Sequence, residues 1–124
     1  MLGEYERKYV PKSTERIILP AIEYIHQNYT SENISAEHLA NLCGISTAYL
    51  RRIFLNCKNV TPIKYINNLR LSRAKELIAS DYYTVSKICE LSGFGDESYF
   101  CRYFKKTVGM TPTEYKKCLL NRCI

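Results

Sequence analysis

The 124-residue sequence predicts an all-α fold of about seven helices, arranged as two copies of one helical unit joined by a long helix. Three observations carry this. Apolar residues return at helical spacing along the chain, and no stretch alternates with period two for long. The second half repeats the first at an almost constant offset. Capping and breaking residues fall at the ends of the periodic segments. A chain of this length buries roughly two thirds of the surface it would expose unfolded, so a core is within reach without disulfides or metal.

Residues 1–16, with Pro11 and mixed charges, read as a tail or interdomain linker, and residues 17–124 as the folded domain. Ile18, Ile22, Ile25 and Tyr29 form one stripe of a first helix, with Pro20 confined to its opening turn. After a loop around Ser31 to Asn33, Ser35 caps a short helix over 36–43 by accepting from a free backbone N–H, and Gly44 ends it. Ser46 caps a second helix over 47–56, leaving a three-residue turn between the two, which is a helix-turn-helix arrangement. A long helix follows over 62–79, with Ile63, Ile66, Leu71, Ala74, Leu77 and Ile78 on its apolar side.

The pattern then starts again, with helices expected over 85–92 and 97–107 and a last helix over 112–120. Thr111-Pro112-Thr113-Glu114 combines a capping-box Thr and Glu with Pro at the first helical position. The first copy has Thr61-Pro62 but Lys64 in place of the Glu. A shift of 49 places Ser35, Leu39, Leu42, Gly44 and Ile45 on Thr84, Ile88, Leu91, Gly93 and Phe94. A shift of 50 places Ser46, Tyr49, Leu50, Arg52, Phe54, Thr61, Pro62 and Tyr65 on Asp96, Tyr99, Phe100, Arg102, Phe104, Thr111, Pro112 and Tyr115. The one-residue change is Gly95, an insertion confined to a turn. The first helix-turn-helix therefore spans about 35–56 and the second about 84–107.

Residues 1–50 carry four basic and six acidic side chains, a net −2, whereas residues 51–124 carry fourteen and six, a net +8. A positive field on one part of the chain suits a polyanion, either nucleic acid or an anionic membrane. Six cysteines, at 43, 57, 89, 101, 118 and 123, include no CxxC pair, and only His26 and His38 could complete a zinc site. They read as reduced small hydrophobes of a cytoplasmic protein with neither metal nor cofactor. His38 and Cys43, five residues apart, miss the helical contact spacing that a thiol nucleophile and its base would use, which argues against catalysis. No run of about 18 apolar residues exists, and the N-terminal stretch is polar where a signal peptide is apolar.

On a helical wheel Leu50, Ile53 and Phe54 form one side of the 47–56 helix, opposite Ala48, Arg52 and Leu55, with Arg51 beside them. In the second copy Phe100, Tyr103 and Phe104 form the inner side, leaving Ser98, Arg102 and Lys105 outside with Cys101 flanking. Leu39, Leu42, Leu91 and Phe94 are expected in the core, and Tyr49 and Tyr99 are expected to buttress their helices. An outward arginine fork can donate two hydrogen bonds to the O6 and N7 acceptors of guanine. Ser98 can bond several bases, Ala48 can touch a thymine methyl, and Glu97 can accept from a cytosine amine.

Arg70-Leu71, Ala74, Leu77-Ile78, Ile88, Gly93-Phe94, Asp96, Ser98-Tyr99-Phe100, Arg102, Phe104-Lys105-Lys106, Gly109 and Thr111-Pro112 with Tyr115 together resemble the signature of the AraC/XylS transcription regulators. The resemblance spans about residues 18–117. Asn59 departs from it where Gly is usual, and Cys89 where Ala is usual. Asn tolerates the left-handed backbone and Cys is nearly as small as Ala. The resemblance implies two homeodomain-like helix-turn-helix subdomains on a linker helix, in a bacterial regulator of transcription. It places base reading on Ala48, Arg51 and Arg52, and on Glu97, Ser98, Cys101 and Arg102. Lys58, Lys64, Lys105, Lys106 and the helix openings at Thr61 and Thr111 are then expected to hold phosphates. The implied partners are double-stranded DNA, RNA polymerase and an effector-binding or dimerisation domain elsewhere in a longer parent, with the domain itself acting as a monomer. Eighteen helical residues span roughly 27 Å, of the order of one DNA turn once the units' width is added, so a bipartite operator is expected. A helical protein-interaction module, or one lying on an anionic membrane surface, is the alternative that charge and helicity leave open.

Overall fold

The computed structural model describes residues 12–31 and 33–122. Among these, a 3-10 segment, Lys12–Ile18, runs into seven α-helices: α1 Leu19–Asn28, α2 Ala36–Cys43, α3 Thr47–Lys58, α4 Pro62–Ala79, α5 Val85–Ser92, α6 Glu97–Val108 and α7 Pro112–Arg122. The described residues fall into two compact units, one over 12–29 and 33–66 and the other over 30–31 and 67–122.

The helix starts follow from side-chain caps. Ser35 accepts from the His38 N–H at 3.1 Å, Ser46 from that of Tyr49 at 3.1 Å, Thr84 from that of Lys87 at 3.1 Å, and Asp96 from that of Tyr99 at 3.0 Å. Each removes one unpaired donor from an opening turn. The C-terminal ends of α3 and α6 are matched in the same way. Asn59 takes φ 66° and Gly109 takes φ 98°, so Asn supplies in the first unit the left-handed residue that Gly supplies in the second. The extra residue of the second turn, Gly95, also has positive φ, at 80°. An L side chain rarely adopts that conformation, so the insertion is a glycine.

Each unit has its own core. In the first, Ile18, Ala21, Ile25, Leu39, Ala40, Leu50, Ile53 and Phe54 are buried around the crossing of α1, α2 and α3. In the second, Leu71, Ala74, Leu77, Ile78, Ile88, Cys89, Phe94, Phe100 and Phe104 form a single cluster. Phe94 packs on Phe100 with ring centroids 5.0 Å apart, and Phe100 on Phe104 at 5.8 Å. Burial of these apolar side chains, aliphatic around Phe54 in the first unit and rich in aromatic rings in the second, is the main stabilising contribution of each unit.

Several expectations need correction. The tail expected over residues 1–16 gives way to 3-10 helix from Lys12, because Ile18 inserts fully into the core and Glu15 pairs with Lys58 at 3.1 Å; residues 1–11 lie outside the described chain. The buried stripe of α1 is Ala21 and Ile25, with Ile22 only half-buried. Leu42 is 41% exposed rather than core. α2 docks through Leu39 and Ala40, which turns Leu42 roughly 110° away from the buried direction at 100° per residue. Its repeat partner Leu91 is half-buried against the second cluster. Ile63 is 44% exposed, and the residue buried in that first turn of α4 is Pro62.

Candidate nucleic-acid interface

The inner side of α3 is closed by Leu50, Ile53 and Phe54, all fully buried, so its opposite side faces solvent. Ala48, Arg51 and Arg52 are exposed there. Arg52 lies over the Tyr49 ring, 5.5 Å from Cζ to centroid, which limits the guanidinium's freedom without using up its donors. Leu55, expected outside, is half-buried.

On α6, Phe100 and Phe104 are fully buried and Glu97, Ser98, Arg102, Lys105 and Lys106 are exposed. Cys101 is half-buried beside them, and burial together with the neighbouring Glu97 pushes its thiol up from the ordinary value. It therefore presents an uncharged sulfhydryl to the outside at neutral pH, suited to van der Waals contact rather than to nucleophilic chemistry. Tyr103 packs against the second core cluster as its inner placement predicts, but only half-buried, and with Tyr99, Arg102 and Lys106 it also lines a groove along the flank of α6. Tyr99 is exposed and its ring stacks on that of Tyr103, with centroids 5.9 Å apart and planes at 23°.

The expected phosphate holders divide. Lys64, Lys105 and Lys106 are exposed. Lys58 has a carboxylate partner in Glu15, so a phosphate must compete with that ion pair. Thr61 caps α4 by accepting from the Lys64 N–H at 3.2 Å, with no acid in that first turn. At α7 the opening is already filled: the Thr111 hydroxyl accepts from the Glu114 N–H at 3.1 Å and the Glu114 carboxylate accepts from the Thr111 N–H at 2.9 Å. A carboxylate occupying the anion position of a helix start repels a phosphate there. The geometry of Thr111 thus disfavours the role expected of it.

Cys43, Cys57, Cys89, Cys101 and Cys118 are free thiols, Cys89 being pushed up to about 11 chiefly by burial, and Cys123 lies outside the described residues. Among the described residues no group of three or more His, Cys, Asp or Glu converges as a metal site would require. No helix there is long and apolar enough to cross a membrane.

Each unit thus presents a capped helix with a buried apolar side and an exposed side that carries cations. Residues 39–117 match the family model described as a helix-turn-helix domain. The chain is a member of the AraC-type helix-turn-helix family. The AraC-type domain is 32% identical over 108 residues to the raffinose operon transcriptional regulatory protein RafR of Pediococcus pentosaceus, covering 87% of this chain and 38% of that protein. It spans 37–44% of the length of four such curated relatives. Among solved structures, the C-terminal domain of the two-component response regulator yesN from Fusobacterium nucleatum superposes with TM-score 0.74 at 26% identity, covering 86% of this chain and 99% of that one. The DNA-binding domain of the global transcriptional factor AdpA, solved with a target DNA, shares the fold at TM-score 0.72 and 21% identity, covering 87% of this chain and 93% of that one.

Within the first unit the structure brings Ala48, Arg51 and Arg52 onto one exposed side. Within the second it does the same for Ser98, Arg102 and Lys105, with Glu97, Cys101 and Lys106 at the margins. The sequence reading missed the groove at Tyr99 and Tyr103. The i, i+4 spacing of two tyrosines alternating with Arg102 and Lys106 was the available signal.

Proposed function

We propose that this AraC-type domain regulates transcription by binding specific duplex DNA sequences, with α3 and α6 as recognition helices. The observation that supports it best is the placement of Arg52 and Arg102. They are equivalent in the internal repeat, each exposed on a helix whose other side is buried in its own unit. A solvated surface arginine needs no such correspondence, whereas two heads reading guanines do.

In this reading Arg52 and Arg102 read base edges, helped by Ala48, Arg51, Glu97, Ser98 and Cys101. Lys64, Lys105, Lys106 and the Thr61 helix opening hold phosphates and set the register. Two heads on one chain let a monomer occupy a site in two parts, where single-unit proteins dimerise. The domain is a binding module rather than an enzyme. RNA polymerase and an effector-binding or dimerisation domain of a longer parent are its further partners.

Selecting binding sites from random duplexes with the purified chain tests this reading. The expected result is a two-part consensus whose binding weakens steeply with salt as phosphate contacts release counterions. No enriched sequence, or equal attachment to anionic vesicles, overturns it.

A further inference from the structure

Asn67, on α4, is only 7% exposed, and its amide Nδ2 donates to the Tyr99 hydroxyl oxygen at 3.4 Å. Buried asparagines are uncommon, and this one spends its amide on a residue of α6 that is itself 40% exposed. Because the Tyr99 oxygen accepts from Asn67, its O–H proton is left to donate away from the core. The ring is held as well, by stacking on Tyr103 and by a tilted pairing with Phe94 whose ring centroid lies 6.3 Å away.

The direction of that donor follows from the helix wheel. Taking Ser98 as the centre of the base-reading side, Lys106, Tyr99 and Tyr103 lie roughly 80–140° round α6 at 100° per residue. A helix inserted in the major groove turns its outer side to the bases and its flanks to the sugar-phosphate strands. The flank groove lined by Tyr99, Arg102, Tyr103 and Lys106 combines hydroxyl donors, cations and ring faces, which suit phosphate oxygens and deoxyribose.

We propose that Tyr99 is a DNA-backbone contact, donating its hydroxyl proton to one phosphate in the flank groove beside Lys106, and that Asn67 is the positioning residue that aims it. This rests on the DNA-reading function proposed above. It adds Tyr99 to the contacts and gives a buried polar side chain of α4 a role in binding.

The test compares wild type with Tyr99→Phe, which removes the hydroxyl and keeps the stacked ring, on the selected operator and on random duplex. Tyr99→Phe lowers affinity for both by the same factor, about three- to tenfold, the size of one lost hydrogen bond. Neutralising operator phosphates one at a time as methylphosphonates reveals one position that weakens wild type but not Tyr99→Phe. Asn67→Leu produces the same loss in the wild-type background and none in Tyr99→Phe, whereas a merely structural Asn67 lowers both alike. Unchanged affinity in Tyr99→Phe, a loss confined to the operator, or equal effects of Asn67→Leu in both backgrounds overturns the proposal. If Tyr99→Phe melts below the assay temperature, Asn67→Leu must itself lose sensitivity to the same phosphate. Failure of the DNA-reading function looks different: wild type then binds operator and random duplex alike, and Tyr99 is judged on the random duplex.

Discussion

Thr111 and Glu114 close the start of α7 reciprocally, each side chain accepting a hydrogen bond from the other's backbone N–H, at 3.1 and 2.9 Å. The hydrogen bond from the Thr111 backbone, reinforced by Lys105 and Lys117, holds the Glu114 carboxyl below its ordinary value of 4.5. A depressed carboxyl stabilises the fold above its unfolded value, and this contribution is lost as pH falls through the folded one. Glu114→Ala should therefore melt lower than wild type at neutral pH, with the gap shrinking below pH 4.5. Thermal melts between neutral and acid pH check this, and a gap that persists undiminished in acid removes the carboxylate from the explanation.

The equivalence of Asn59 and Gly109 at the ends of α3 and α6 gives a reciprocal pair of variants. Asn59→Gly should raise stability and Gly109→Asn lower it, each by less than about 1 kcal/mol, since Asn is the residue that best tolerates the left-handed region after Gly. Asn59→Val should cost more, because a β-branched side chain is poorly accommodated at positive φ. Denaturant midpoints measured on all three decide it, and a stabilised Asn59→Val would contradict the assignment.

Leu39 and Leu42 sit one turn apart on α2 with opposite fates, the first fully buried and the second exposed. Leu39→Ala should destabilise by about 2–5 kcal/mol and Leu42→Ala by less than about 1. Similar costs in chemical denaturation would place Leu42 back in the core.

Arg102 and Lys106 both project from α6, but they are assigned different work. Arg102→Ala should cost on the order of 1–3 kcal/mol on the selected operator and relax preference at one or two base pairs. Lys106→Ala should weaken operator and random duplex alike and reduce the salt slope by about one. Titrations at several salt concentrations separate the two, and indistinguishable behaviour of the variants would falsify the face assignment.

Local physics made most of the fold readable from the sequence. Caps at Ser35 and Ser46, whose repeat counterparts Thr84 and Asp96 cap the matching helices, the left-handed Asn59 and the Gly95 insertion depend on backbone groups within a few residues, so position along the chain was enough to place them. The outward placement of Arg52 and Arg102 was legible because the repeat and the helical period both pointed the same way. Contacts between distant residues were not legible. That Leu42 faces solvent depends on the angle at which α2 docks, and that Lys58 meets Glu15 depends on a 3-10 segment folding back onto α3. Nor was the hydrogen bond legible that the Tyr99 hydroxyl oxygen accepts from Asn67, 32 residues away on another helix. Helical periodicity says which residues share a side, but burial and hydrogen bonding of that side are set by what packs against it, and only the tertiary structure supplies the partner.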